Sequence, residues 1–299
     1  MADSIHIAVM TREAMDALRP TSGGKYLDAT LGGGTHSNEL LERSAPKGKV
    51  LSLDVDPVAL DRAAMRFKPF GKRWKGVEGN FRHLDEIVQR EKFAPLDGIL
   101  IDLGLSSDEL DDPSKGLSFR TDGPLDMRLG PKANEDGLTA SDIVNSWNET
   151  ELTKLIQEFG EERYAWKIAT AIIAARKHHR FDTTLELAEA IKAAVPANYE
   201  RGRIHPATRT FQALRIAVND ELQALKEAIE ASRRVLAPNG VLAIISFHSL
   251  EDRIVKNAFK DADDLEVLTK KPLVPQEDEL EKNPRARSAK FRAARKSLS

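Results

Sequence analysis

Five short apolar runs constrain this chain's fold more than any other feature. KYLDATL (25–31), GKVLSLDV (48–55), LDGILIDLGL (96–105) and GVLAIISF (240–247) are almost continuously apolar, and Lys75 to Glu78 supplies a shorter fifth. A strand at the centre of a parallel sheet reads this way, because its side chains meet a covering helix whichever face they point to. Helical stretches separate the runs: one from Thr35 to Leu41, one opened by Asp56-Pro57, and one ending near Arg90. Asp suits a helix cap and Pro its first turn. The rhythm predicts an α/β fold with a doubly wound, mostly parallel sheet. LEVLTK (265–270) and SAKFRAA (288–294) add two predicted strands, the last at an edge.

The alternation breaks after the fourth run. Ser106 to Gly137 is rich in Gly, Pro, Asp and Ser and reads as loop. Residues 139–195 carry helical periodicity alone: TASDIVNSW opens on a cap cluster, ELTKLIQEFG stops at Gly160, ERYAWKIATAIIAARK is amphipathic, and TLELAEAIKAAV stops at Pro196. The expected organisation is a sheet domain of residues 1–105 and 206–299, interrupted by an all-α insertion, 106–205, that serves substrate recognition. A long helical region, 207–236, leads back into the sheet.

Composition narrows the chemistry. With 41% hydrophobic and 31% charged residues over 299 positions, the chain is globular rather than disordered. No apolar run approaches the ~18 residues of a membrane span, and the expectation is a soluble, cytoplasmic protein with no membrane partner. The absence of cysteine excludes disulfides, thiolate metal sites and a thiolate nucleophile. Methylation at C5 of a pyrimidine normally runs through such a thiolate, so that route is closed.

In open parallel sheets, ligands bind beyond the carboxyl ends of the strands. After the first run comes Asp28-Ala-Thr-Leu-Gly32-Gly33-Gly34-Thr35-His36, in which glycines let backbone approach a ligand at a helix N-terminus. After the second comes Asp54, placed to accept both hydroxyls of a ribose. The G-x-G-x-x-G fingerprint fails at Ser37, and no Lys-Ser/Thr pair follows to make a P-loop. An acid ahead of the first glycine disfavours a pyrophosphate but suits the cationic end of S-adenosylmethionine. The bland alternative is a tight structural turn, with Asp28 capping the helix. Asp102, closing the fourth run, is the candidate functional acid; its alternative is a turn cap.

Other clusters admit two readings. Arg176 to Arg180, and Arg201, Arg203, His205, Arg209 and Arg215 interleaved with Tyr199 and Phe211, suit phosphates and stacked bases. Each taken singly is a solvated helix face. Residues 261–281 hold eight acids against two lysines, whereas 282–299 hold seven Lys/Arg and no acid, which suggests an arm lying on RNA or a solvated tail. Ser246-Phe-His248-Ser-Leu-Glu251-Asp252 holds hydrolase-like groups, but triad members are normally distant in sequence and no G-x-S-x-G elbow exists. It reads as a substrate-facing loop, and no resident metal is expected.

Taken together, YLDATLGGGTHS, LSLDVDP, LIDLGLSS, GLSFRTDGPLDMR, HPATRTFQALRIAVNDEL, LAIISFHSLEDRIVK and NPRAR resemble the bacterial MraW family, the small-subunit ribosomal RNA methyltransferases H. The match runs from His6 to NPRAR. The resemblance implies a class I, Rossmann-like S-adenosylmethionine methyltransferase that methylates N4 of a cytidine at the decoding site of 16S ribosomal RNA in the small subunit. It places cofactor contacts at Gly34, Thr35, His36, Asp54, Phe81, Asp102 and Glu109, and names no catalytic base. Thr35 stands where the family has glycine, restricting that turn to φ values a β-branched residue tolerates, and Glu109 stands where the family has Gln. Two other classes compete: a cofactor-sensing RNA-binding assembly protein, and a small-molecule or DNA methyltransferase. DNA amino-methyltransferases usually carry Asp/Asn-Pro-Pro-aromatic after the fourth strand; here the residues are Asp102-Leu-Gly-Leu.

Overall fold

The computed structural model describes residues 8–298 apart from Ser106, Pro131, Lys132 and Glu135, and, in part, the side chains of Ser107, Asp108 and Arg201 are outside it. His6, Ser106 and the Arg201 side chain, singled out above, therefore lie outside the described residues. The order is α1 (Thr11–Leu18), β1 (Lys25–Asp28), α2 (Thr35–Arg43), β2 (Lys49–Asp54), α3 (Pro57–Arg66), β3 (Trp74–Glu78), α4 (Leu84–Arg90) and β4 (Leu96–Asp102). Then come α5 (Ser107–Asp111), α6 (Ala140–Ser146), α7 (Glu149–Gly160), α8 (Ala165–Ala175), α9 (Thr184–Ala194) and α10 (Thr208–Asn219). The chain closes with α11 (Glu221–Val235), β5 (Leu236–Ser246), α12 (Ser249–Asp261), β6 (Leu265–Val267), α13 (Glu277–Lys282) and β7 (Lys290–Lys296). It divides into two compact units, Met1–Ser106 with Leu222–Ser299, and Ser107–Glu221.

In the first unit the strands lie in the order β3-β2-β1-β4-β5-β7-β6. The first five are parallel, with Leu27 opposite Leu51 and Ile99, and β7 runs antiparallel to both β5 and β6. Successive side chains go to opposite faces, as the pleat requires. Leu27, Leu51, Ile99, Ile101 and Ile244 pack with α4, α11 and α12. Tyr26, Val50, Leu100, Ala243 and Ile245 pack with α1, α2 and α3. Both faces are covered, which is why the central runs lack polar alternation.

The position of β7 corrects the expectation of an edge strand: it sits between β5 and β6, and β6 forms the edge. Its residues explain this. Phe291 and Ala293 join one core cluster and Ala294 the other, so both faces need cover. The same finding corrects the notion of a basic arm for residues 290–296, whereas Arg285 and Arg287 precede the strand and are exposed. Arg292 is 6% exposed and its Nε donates to Asp252 at 2.6 Å, Lys290 also reaches Asp252, at 3.3 Å, Arg295 pairs with Glu266, and Lys296 donates to the Arg233 carbonyl.

The second unit is helical. Capping boxes open α6 (Thr139 with Asp142), α7 (Asn148 with Glu151) and α9 (Thr183 with Glu186), each satisfying two helix donors reciprocally. The unit continues to Glu221 and so includes α10, which packs on α7 and α6, whereas the sequence reading assigned 206 onward to the sheet. The long helical region is two helices, parted at Asp220, whose φ is 49°. The loop containing DGPLDMR is pinned by Asn219, which donates to the Met127 carbonyl at 2.8 Å and accepts from the Leu129 N–H at 3.0 Å.

Candidate functional site

Three carboxylates close three neighbouring strands: Asp28 ends β1, Asp54 ends β2 and Asp102 ends β4. Between the first two the chain turns through Gly32 and Gly34, with φ of 50° and 75°. Gly34 is the N-cap of α2 and no side chain caps the helix there, so the first-turn N–H groups of α2 point toward the space beyond the strands. A Cβ at Gly34 would come within 3.0 Å of the Phe67 ring, and its φ is one that L side chains rarely adopt. Thr35 is the first residue of α2 and takes no positive φ. The β-branched departure is thus accommodated, because Gly32 and Gly34 ahead of it carry the positive dihedrals.

Asp54 fixes this turn. One of its oxygens accepts from the Gly32 N–H at 2.9 Å and the other from the Asp56 N–H at 2.8 Å. Each carboxylate oxygen has a second lone-pair direction, so the residue can both hold the turn and accept from a ligand hydroxyl. Arg66 donates to the Gly33 carbonyl at 2.8 Å, tying the turn to α3 as well.

Behind the turn lies a buried polar cluster. Asp28 is fully buried; it accepts from the Ser37 hydroxyl at 2.6 Å and the Thr30 N–H at 3.4 Å. Ser37 contacts Ser52, which accepts from the Trp74 indole. His36, 4% exposed, brings Nε2 to 3.4 Å from Asp102 Oδ2. Thr30 accepts from the Asp102 N–H at 2.7 Å and so locks the end of β4 against β1. Burial pushes the Asp28 carboxyl up to about 6, against the pull of His36 and Ser37. Burial opposes a charge on His36, but Asp102 and Asp28 outweigh it and raise the imidazole above its ordinary value.

The residues fit S-adenosylmethionine. The uncapped α2 N-terminus suits a carboxylate, the strand-end acids suit an ammonium and a sulfonium, and both ring nitrogens of His36 are buried with no hydrogen-bond partner among the described residues, Nε2 only approaching Asp102. Phe81 opens a turn after β3 and packs on the sheet core. Glu109 lies in the second unit, on α5, 3.8 Å from Lys115. The structure thus gathers Gly34, Thr35, His36, Asp54 and Asp102 at the strand ends of one unit. Sequence reading missed Thr30, Ser37, Ser52 and Phe67, for which only their spacing around the glycines gave a signal.

Other sequence candidates have structural explanations. His248 caps α12 in a capping box with Glu251. Tyr199 and Phe211 are buried, at 3% and 5% exposure, which removes them as base-stacking surfaces. Tyr199 donates to Glu162, and that contact together with burial raises its phenol. Arg180 pairs with Asp182, Arg209 with Glu200 and Arg215 with Glu221.

The sequence pattern of the MraW methylase family matches residues 3–297. The chain is 48% identical over 309 residues to ribosomal RNA small subunit methyltransferase H of Carboxydothermus hydrogenoformans, covering 97% of each chain. It is 50% identical over 293 residues to the protein of that name from Synechococcus elongatus, covering 98% of this chain and 95% of the relative.

Proposed function

Because the chain belongs to the MraW methylase family, we propose that it transfers a methyl group from S-adenosylmethionine to the N4 amine of a cytidine in 16S ribosomal RNA of the small subunit, in the bacterial cytoplasm. The observation that carries the reading is the His36–Asp102 pair, held at the strand ends beside a glycine turn that Asp54 fixes. The cofactor supplies an electrophilic methyl on a sulfonium. The protein has to orient an amine whose lone pair is delocalised into the ring, and to draw off its proton. The amide-to-Thr30 bond fixes the end of β4, and the His36 imidazole faces the Asp102 carboxylate there at 3.4 Å. From there Asp102 accepts a hydrogen bond from the amine and localises its lone pair. Positioning of this kind is worth several kcal/mol. An exocyclic amine needs no covalent adduct, in keeping with a chain without cysteine, and the base must leave its stack to be reached. Gly34, Thr35, His36, Asp54 and Phe81 of the first unit take the cofactor-binding roles.

Incubation with labelled S-adenosylmethionine and undermethylated small subunits, followed by nucleoside analysis, tests the reading. N4-methylated cytidine is expected; label on C5, or on DNA alone, overturns it. The Asp102→Asn variant separates chemistry from binding: methyl transfer should fall more than cofactor affinity does, and a parallel loss of both would leave Asp102 only a binding residue.

A further inference from the structure

With Lys290, Arg292, Arg295 and Lys296 paired on β7 and Tyr199 and Phe211 buried, the RNA contacts assigned to them need another surface. Residues 163–181 hold five Lys/Arg and no acid, in a chain with 47 acids. They include α8, whose apolar side is buried through Ala165, Ile168, Ala169 and Ile172. Its other side carries Trp166, 61% exposed, while every other aromatic side chain among the described residues is buried or half-buried. An exposed indole offers a flat ring face on which a base can stack. The indole N–H donates to Glu149 at 3.1 Å, which fixes the ring's orientation and reduces the entropy lost when something packs on it.

The cations around it are available. Arg163, Lys167 and Lys177 have no carboxylate within ion-pair distance among the described residues, and all three are exposed. Arg163 and Lys167 flank the half-buried Tyr164 ring, 4.8 and 5.7 Å from its centroid. An exposed aromatic ring among unpaired cations suits an unstacked base with its phosphates; a duplex keeps its base faces covered.

We propose that α8 is a docking surface for single-stranded RNA, with Trp166 stacking on a base and Arg163, Lys167 and Lys177 meeting backbone phosphates. The inference rests on the RNA-methyltransferase reading and adds to it the surface by which the second unit holds the substrate.

The test uses the full chain, a labelled short single-stranded oligoribonucleotide of mixed sequence, protein-free 16S RNA and undermethylated small subunits, with binding measured across a salt series. Trp166→Ala should weaken RNA binding about 5- to 150-fold, the effect of losing one stacked base, and Trp166→Phe should restore most of it. Replacing Arg163, Lys167 and Lys177 together with Ala should lower the salt slope by about 2, at about 0.7 per lost single-strand contact. Cofactor affinity should be unchanged in each variant, which also reports an intact fold. Wild-type RNA affinity and salt slope in the variants overturn the inference. So does a loss confined to assembled subunits with none on protein-free RNA, which assigns the surface to a protein partner. If the wild-type chain methylates RNA and the variants bind it equally well, only this surface falls. If the wild type neither binds nor methylates RNA, the functional reading falls with it.

Discussion

Residues 163–177 and residues 290–296 are both basic and free of acids, yet they use charge in opposite ways. On and beside α8, Arg163, Lys167 and Lys177 stand in water with no carboxylate within ion-pair distance among the described residues. On β7 the chain lies inside a sheet, and each cation is paired with an acid supplied from another element: Asp252 on α12, Glu266 on β6, and Asp264 just before β6. A buried charge left unpaired is prohibitive, so an interior strand rich in Arg and Lys folds only where partners are provided. The sign of a segment therefore says little about what it binds. The elements packed against it decide.

The largest test of this contrast is Arg292→Ala. It strips the close partner from Asp252 in a site that is 7% exposed on the arginine side, and should destabilise the fold by about 3 kcal/mol, measured by urea unfolding. The salt slope of RNA binding should stay unchanged. A lower slope with unaltered stability would return β7 to the RNA-binding role. The double variant Asp252→Leu, Arg292→Met should recover much of the loss, because an apolar pair of similar volume replaces a buried ion pair at little cost.

Asp28 extends the contrast to an acid that is buried without an arginine or lysine of its own. Its folded value, about 6, lies above the unfolded one, so the protonated form is favoured by folding. That stability is present below about pH 4 and is lost as pH rises through 6, a difference of about 3 kcal/mol. Asp28→Asn mimics the protonated acid, so thermal melts should show the variant gaining on the wild type between pH 4 and 7. A constant gap across that range would mean Asp28 is compensated in a way its surroundings do not show.

Asp252 should behave in the opposite sense. Burial works against its charge, but Arg292 and Lys290 hold it below its usual range. Its contribution is present above the unfolded value and is lost as pH falls through the folded one. Acid unfolding below pH 4 should be shallower in Arg292→Ala than in the wild type; equal slopes would separate the pair energetically. The smallest effect belongs to Arg295→Ala. Its pair with Glu266 is 37% and 62% exposed at 3.5 Å, so the loss should stay below about 1 kcal/mol, with no change in RNA binding.

The parallel strands were legible because burial on both faces writes itself as an apolar run, and the glycine turn because glycine adopts such dihedrals at the least cost. Asp54 and Asp102 followed from their places at strand ends. What escaped was pairing over distance. Arg292 and Asp252 are 40 residues apart, so β7 read as a charged arm. His36 and Asp102 each stood out, but their meeting depends on β1 and β4 being neighbours, which no local pattern encodes. Tyr199 and Phe211 looked available beside arginines because their burial comes from helices packed from elsewhere. Trp166 looked like one more residue of an amphipathic helix, since which side of α8 is covered depends on α7 and α9.

The place of β7 also sets an order of events during synthesis. β5 and β6 leave the ribosome before the strand that separates them, and β6 has β7 as its sheet neighbour. Until residues 290–296 emerge, β5 presents an open hydrogen-bonding edge along Val241 to Ser246. An apolar edge of that kind recruits other strands. The nascent chain must therefore be shielded over this interval, and a stop codon shortly before Lys290 would release a protein whose glycine turn and strand-end acids are all present but whose central sheet is left sticky.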